Sequence, residues 1–176
     1  MNIKLILELM LRAGIFSIVV VLLYQLILKY ILKLKQQDTT KVRISKSLFL
    51  FYIAMLFYVT LYRDGINIEN IFNTNVNTVN LVPLVNTFRM LPIDIGVFLY
   101  NLMGNILWFV PLGMALNSLY NKSFKESMII VGMCSLGIEI LQFIFNQGIS
   151  DIDDIIFNVI GGFIGYIIYN IMSKNR

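Results

Sequence analysis

Five apolar stretches set the frame for this chain: Ala13 to Leu32, Ser47 to Tyr62, Ile93 to Leu119, Ser127 to Phe145 and Ile155 to Ile171. A helix that crosses the hydrocarbon core of a bilayer needs roughly 17 to 25 mostly apolar residues. All five stretches reach or approach that length, the second and fifth with help from their polar flanks. Backbone amides in lipid must be satisfied within their own segment, so such stretches fold as helices. The expectation is an all-α integral membrane protein, a bundle of about five transmembrane helices. An apolar content of 58% and a mean hydropathy of +0.78 agree, being too high for a soluble domain of 176 residues. The run from Ala13 to Leu32 is long and lacks a small-residue cleavage site, so it reads as a retained span and not as a cleaved leader.

The charges set an orientation. Of the fourteen Lys and Arg, ten fall on alternate segments: Lys29, Lys33, Lys35, Lys41, Arg43 and Lys46 around the first loop, Lys122 and Lys125 in the third, Lys174 and Arg176 at the end. Basic residues concentrate on cytoplasmic loops, which gives an outside N-terminus, five crossings and a cytoplasmic C-terminus. Residues 1–12 either span or lie along the interface. The net charge of +4 is thus accounted for by topology, and the expected partner is the lipid bilayer, with no nucleic acid. The single cysteine, Cys134, has no intramolecular disulfide partner.

Between the second and third spans lies a long extracellular loop, Asp64 to Pro92. Its Asn73, Asn75, Asn77 and Asn80 favour turns over a continuous helix. Its apolar Ile71, Phe72, Val79, Leu81, Val82 and Leu84 point to a loop that folds back onto the bundle or dips into the interface. There is no Gly-rich phosphate loop followed by Lys and Ser or Thr, and no internal repeat, which disfavours a self-contained ATP-driven pump.

Polar residues interrupt the last three spans in a pattern. Ser135, Glu139, Gln142 and Asn146 recur at spacings of four, three and four and form one stripe on a helix. Asn101, Asn105 and Trp108 share a face of the preceding span, whose later half contains Pro111 and Gly113, residues that weaken or kink a helix. In the last span Asp154 and Asn158 are one turn apart, and Gly161 and Gly165 continue the line as a small-xxx-small pair suited to close helix packing. Asp151 and Asp153 read first as solvated helix-start charges. With a rise of about 1.5 Å per residue, all these lines meet near the outer surface, where Arg63 at the end of the second span and Arg89 are the available cations. Ionisable groups in a bilayer are costly and usually functional, so the candidate ligand-binding residues are Arg63, Asn101, Asn105, Glu139, Gln142, Asp151, Asp153, Asp154 and Asn158.

The order Arg63, NLVPL (80–84), NLMGNILWFVPLG (101–113), EILQ (139–142) and DIDDIIFNVIGG (151–162) resembles the VanZ-like family. The resemblance covers about the last 130 residues. It implies residues 45–176 as the family domain, with 1–44 as a variable first helix and basic loop. It also implies a small multi-spanning protein of the bacterial plasma membrane; the name-giving member confers resistance to the lipoglycopeptide teicoplanin. Carried over by position, the family's polar pattern implies Asn80 as a further ligand-binding candidate and adds Pro83, Pro111, Gly113 and Gly161 to the residues above. One departure is Gly148, in a neighbourhood where many relatives have Arg; an anion-binding role there would fall to Arg63 or Arg89, or be absent.

Three classes of function stay open on the sequence. The first is a resistance or envelope protein whose outward polar site meets an amphiphilic or lipid-linked ligand in the outer leaflet. The second is an enzyme acting on a lipid or lipid-linked envelope precursor, with Glu139 and Asp154 as acid or base, or with the acids holding a divalent cation. With no His and one Cys, the common Ser/His/Asp and Cys/His arrangements are excluded. The third is an accessory subunit in which the polar cluster only specifies the fold.

Overall fold

The computed structural model describes residues 3–31, 39–62, 79–90, 92–147 and 149–174. They form α1 (Ile3–Leu26) continued by a π-helical turn (Ile27–Ile31), α2 (Thr40–Leu61), β1 (Val79–Asn80), α3 (Val85–Met90), α4 (Ile95–Ser118), α5 (Phe124–Ile144), β2 (Ser150–Asp151) and α6 (Ile152–Lys174). Five of these helices, all except α3, are long and apolar enough to cross a membrane. The chain is an all-α membrane protein, as its hydropathy requires.

The helix ends differ from the apolar runs because capping groups set them. Helix α1 begins at Ile3, ten residues before Ala13, with Lys4, Glu8 and Arg12 spaced by four along one line of its surface. The Thr39 hydroxyl oxygen accepts the Val42 N–H at 3.4 Å, which starts α2 early and carries Lys41, Arg43 and Lys46 on the helix. The Asp94 carboxylate accepts the N–H groups of Gly96 and Val97 at the start of α4, which runs unbroken through Pro111. Ser123 and Glu126 cap α5 reciprocally. That helix ends with Asn146 at φ 52°, the Asn146 N–H donating to Phe143 and the Gln147 N–H to the Gln142 carbonyl. Of the expected loop from Asp64 to Pro92, residues 64–78 and 91 lie outside the described residues; the rest forms β1, a turn and α3.

The chain divides into two compact units, Met1–Gly65 and Ile66–Arg176. The first is an antiparallel hairpin of α1 and α2. Phe16 packs on Tyr58 with ring centroids 5.3 Å apart, and nearer the connection the Gln25 amide donates to the Ser47 hydroxyl at 2.8 Å.

In the second unit α4 and α6 run parallel, with α5 antiparallel to both. Glycine permits the α4–α6 approach: a Cβ added to Gly161 would lie 2.1 Å from the Ile106 carbonyl oxygen, and one added to Gly165 2.0 Å from that of Val110. From the other side, a Cβ on Gly113 would meet the Gly162 carbonyl oxygen at 1.9 Å. None of these backbones could come so close with a side chain between them. Farther along, the Asn117 amide donates to Asn170 at 2.9 Å. Phe109, Leu112, Val131, Ile138 and Phe157 fill the space among the three helices.

Candidate functional site

The site is built at the end of the second unit where α6 begins. Asp151 immediately precedes that helix, and its carboxylate accepts the Asp153 N–H at 2.9 Å, as a helix-capping side chain does. The same residue closes a two-residue parallel ladder, Val79 opposite Ser150 and Asn80 opposite Asp151. The Asn80 amide donates to both Asp151 carboxylate oxygens, at 2.9 and 3.0 Å, while its own carbonyl oxygen accepts the Val82 N–H at 3.2 Å. Glu139, near the end of α5 and 3% exposed, accepts the Asp151 N–H at 2.8 Å. The Ser150 hydroxyl donates to the Glu139 backbone carbonyl at 3.2 Å.

Asp153 is the most enclosed of the acids, at 1% exposure. One of its oxygens accepts the Leu84 N–H at 2.6 Å and the other the Thr87 hydroxyl at 2.5 Å. It thus ties α6 to the turn before α3 and to α3 itself. The expectation of a solvated helix-start charge is corrected for this residue: burial of a carboxylate is tolerated because both oxygens receive donors. One residue on, Asp154 accepts the Asn105 amide at 2.5 Å and links α6 to α4. A turn deeper, the Asn158 amide donates to the Ser135 hydroxyl at 2.9 Å, joining α6 to α5.

Of the residues singled out in the sequence, seven therefore meet in hydrogen bonds radiating from the first two turns of α6: Asn80, Asn105, Glu139, Asp151, Asp153, Asp154 and Asn158. Gln142 is half-buried one turn beyond Glu139. Asn101 is half-buried one turn before Asn105 and joins none of these bonds among the described residues. Arg63 and Gly148 lie outside the described residues, and Arg89 is exposed at the end of α3. Thr87 and the Asn117–Asn170 pair went unnoticed in the sequence, and Leu84 stood out only as an apolar loop residue. Thr87 lies in the six-residue α3, within a stretch whose sequence has no periodic pattern, Leu84 contributes only its backbone, and each partner lies dozens of residues away.

Chemically, the acids here act as acceptors that hold chain segments together. Among the described residues no three His, Cys, Asp or Glu side chains come together as a metal-binding group. Two buried acceptors, Ser127 Oγ and Asn158 Oδ1, have no hydrogen-bond partner among the described residues. Around the polar cluster the surface is apolar: Leu81 is 71% and Ile93 83% exposed, with Val82, Phe88 and Ile95 also exposed.

Five membrane-length helices and a buried polar cluster at one end define a multi-pass helical membrane protein. Residues 49–173 match the VanZ/LLP1 family. Over 135 residues the chain is 32% identical to Protein VanZ of Enterococcus faecium, covering 75% of this chain and 77% of that protein. The chain belongs to the VanZ/LLP1 family. No solved structure gives a significant match.

Proposed function

We propose that this chain lowers susceptibility to lipoglycopeptide antibiotics of the teicoplanin type through the polar, acidic site at the start of α6, opening to the outside of the cell. The observation that carries the reading is the convergence of Asn80, Asn105, Glu139, Asp151, Asp153 and Asp154 beside an apolar edge of Leu81, Val82, Ile93 and Ile95. A polar head and an acyl chain, the two parts of such a drug, call for those two surfaces side by side. The match to a protein named VanZ supports the same reading, since residues 49–173 contain the whole cluster.

The orientation follows from charge. Lys122 and Lys125 follow α4 at the end opposite to the cluster, and Lys174 closes α6 at that same opposite end, so basic residues on the cytoplasmic side leave the cluster outside. In this reading the ligand is amphiphilic or lipid-linked and enters from the outer leaflet. Asp154 and Glu139, with Asn101, Gln142 and Asn158 around them, meet its polar groups.

The test is susceptibility of a sensitive Gram-positive host to teicoplanin and to vancomycin, with wild type and Asp154→Asn at matched abundance. Protection against teicoplanin, weak or absent against vancomycin and lost in the variant, is the expected result. Equal protection against both drugs would remove the acyl-chain argument, and no protection would remove the resistance reading.

A further inference from the structure

A groove of about 350 Å³ runs along the hairpin of the first unit, lined by Ile18, Val21, Leu22, Gln25, Arg43, Ile44, Ser47, Leu48 and Phe51. We propose that it is a binding site for one anionic glycerophospholipid, with an acyl chain along the apolar wall and the phosphate at Arg43. The polar lining groups are gathered at one end: Gln25 donates to Ser47, and a hydroxyl that accepts one hydrogen bond still has a proton to give to a phosphate oxygen. The other end, Ile18 to Leu22 on α1 and Leu48 to Phe51 on α2, is hydrocarbon. Its walls are open, with Ile18 53%, Leu22 58% and Leu48 64% exposed. From Arg43 to Phe51 the helix rises about 12 Å, against roughly 15 Å for one leaflet of the hydrocarbon core, so one chain fits along most of its length.

Charge selects the headgroup. Arg43 is the basic residue of the lining, at the end of the hairpin that also carries Lys29, Lys41 and Lys46. Basic pockets between helices attract anionic lipids, with a guanidinium offering a planar pair of donors to phosphate. Apart from Phe51, every lining residue precedes residue 49, where the family match begins, so the site belongs to the part of the chain outside it.

The experiment is native mass spectrometry of the full chain released from nanodiscs of phosphatidylcholine with one-fifth phosphatidylglycerol. Wild type is expected to retain one phosphatidylglycerol per chain in preference to phosphatidylcholine. Arg43→Gln should lower that retention about fivefold, while Lys41→Gln, two residues away and outside the groove, should leave it within twofold. Ile18→Trp, which fills the hydrocarbon end and leaves the charge intact, should lower retention of both lipids. Circular dichroism melts identify any variant that fails to fold, and the Trp variant then serves in place of the Arg one. Equal loss in Arg43→Gln and Lys41→Gln would show a diffuse basic field and overturn the site, as would equal retention of the two lipids by wild type.

Discussion

Asp153 holds Leu84 in a left-handed backbone conformation from 69 residues away: the Leu84 N–H donates to its carboxylate at 2.6 Å, and Leu84 sits at φ 66°. A side chain with branched bulk rarely adopts that region, and doing so costs of order 1–3 kcal/mol. The bond to a buried carboxylate, with the second bond from Thr87, is what holds the turn there.

Asp153→Ala is expected to destabilise the second unit by about 2–4 kcal/mol, because it removes two charge-assisted bonds and strands two donors. Asp153→Asn, which keeps one acceptor, should cost about half as much. A double-mutant cycle with Thr87→Val, read by thermal unfolding in detergent, should show a coupling of about 1 kcal/mol or more. Additive effects would mean that the short Thr87 contact contributes little.

Packing of α4 on α6 should outweigh the hydrogen bonds that cross the same interface. Gly161→Ala and Gly165→Ala each put a methyl group against a backbone carbonyl, and the helices must part, at a cost of about 1–3 kcal/mol or more. Asn170→Leu, which breaks the bond from Asn117, should cost nearer 0.6 kcal/mol. Gly104→Ala and Gly137→Ala serve as controls, since nothing lies within 4 Å of an added Cβ at either position. Melting temperatures of the set should fall in that order.

The Asn105–Asp154 pair offers a swap. Asn105→Asp alone faces two carboxylates across 2.5 Å and should lower abundance in membranes. Adding Asp154→Asn restores a donor and an acceptor with the charge moved from α6 to α4, and abundance should recover. If teicoplanin protection stays lost in the swapped protein at full abundance, the charge is needed on α6 itself; immunoblots beside drug susceptibility give both readouts.

Orientation is open to direct measurement. In a Cys134→Ser background, a cysteine placed at Ile93, 83% exposed before α4, should react with an impermeant maleimide added to intact cells. One placed at Lys122, in the connection between α4 and α5, should react only after the membrane is opened. The reverse pattern would invert the chain and put the polar cluster on the cytoplasmic side.

The spans were legible because lipid allows few solutions to a long apolar run, and the spacing of Glu139, Asp154 and Asn158 placed the acids on inward faces. Gly161 and Gly165 announced close packing, and the carbonyl oxygens of Ile106 and Val110 occupy the space a side chain would need. The helix ends were less legible: Thr39, Asp94 and Ser123 set them by capping, which hydropathy does not register. Least legible were the long-range partners. Nothing local to Thr87 or Leu84 says that a carboxylate more than sixty residues away will accept their hydrogen bonds. The role foreseen for Arg63 falls outside the described residues.

The parallel course of α4 and α6 has an electrostatic consequence. Aligned peptide dipoles give each helix roughly half a positive charge at its N-terminus, and both N-termini lie at the end that holds Asp94, Asp151, Asp153 and Asp154. Two axial fields therefore add there, in a medium that screens weakly. The bundle offsets part of the penalty of enclosing anions through its own backbone, before any lysine or arginine is counted.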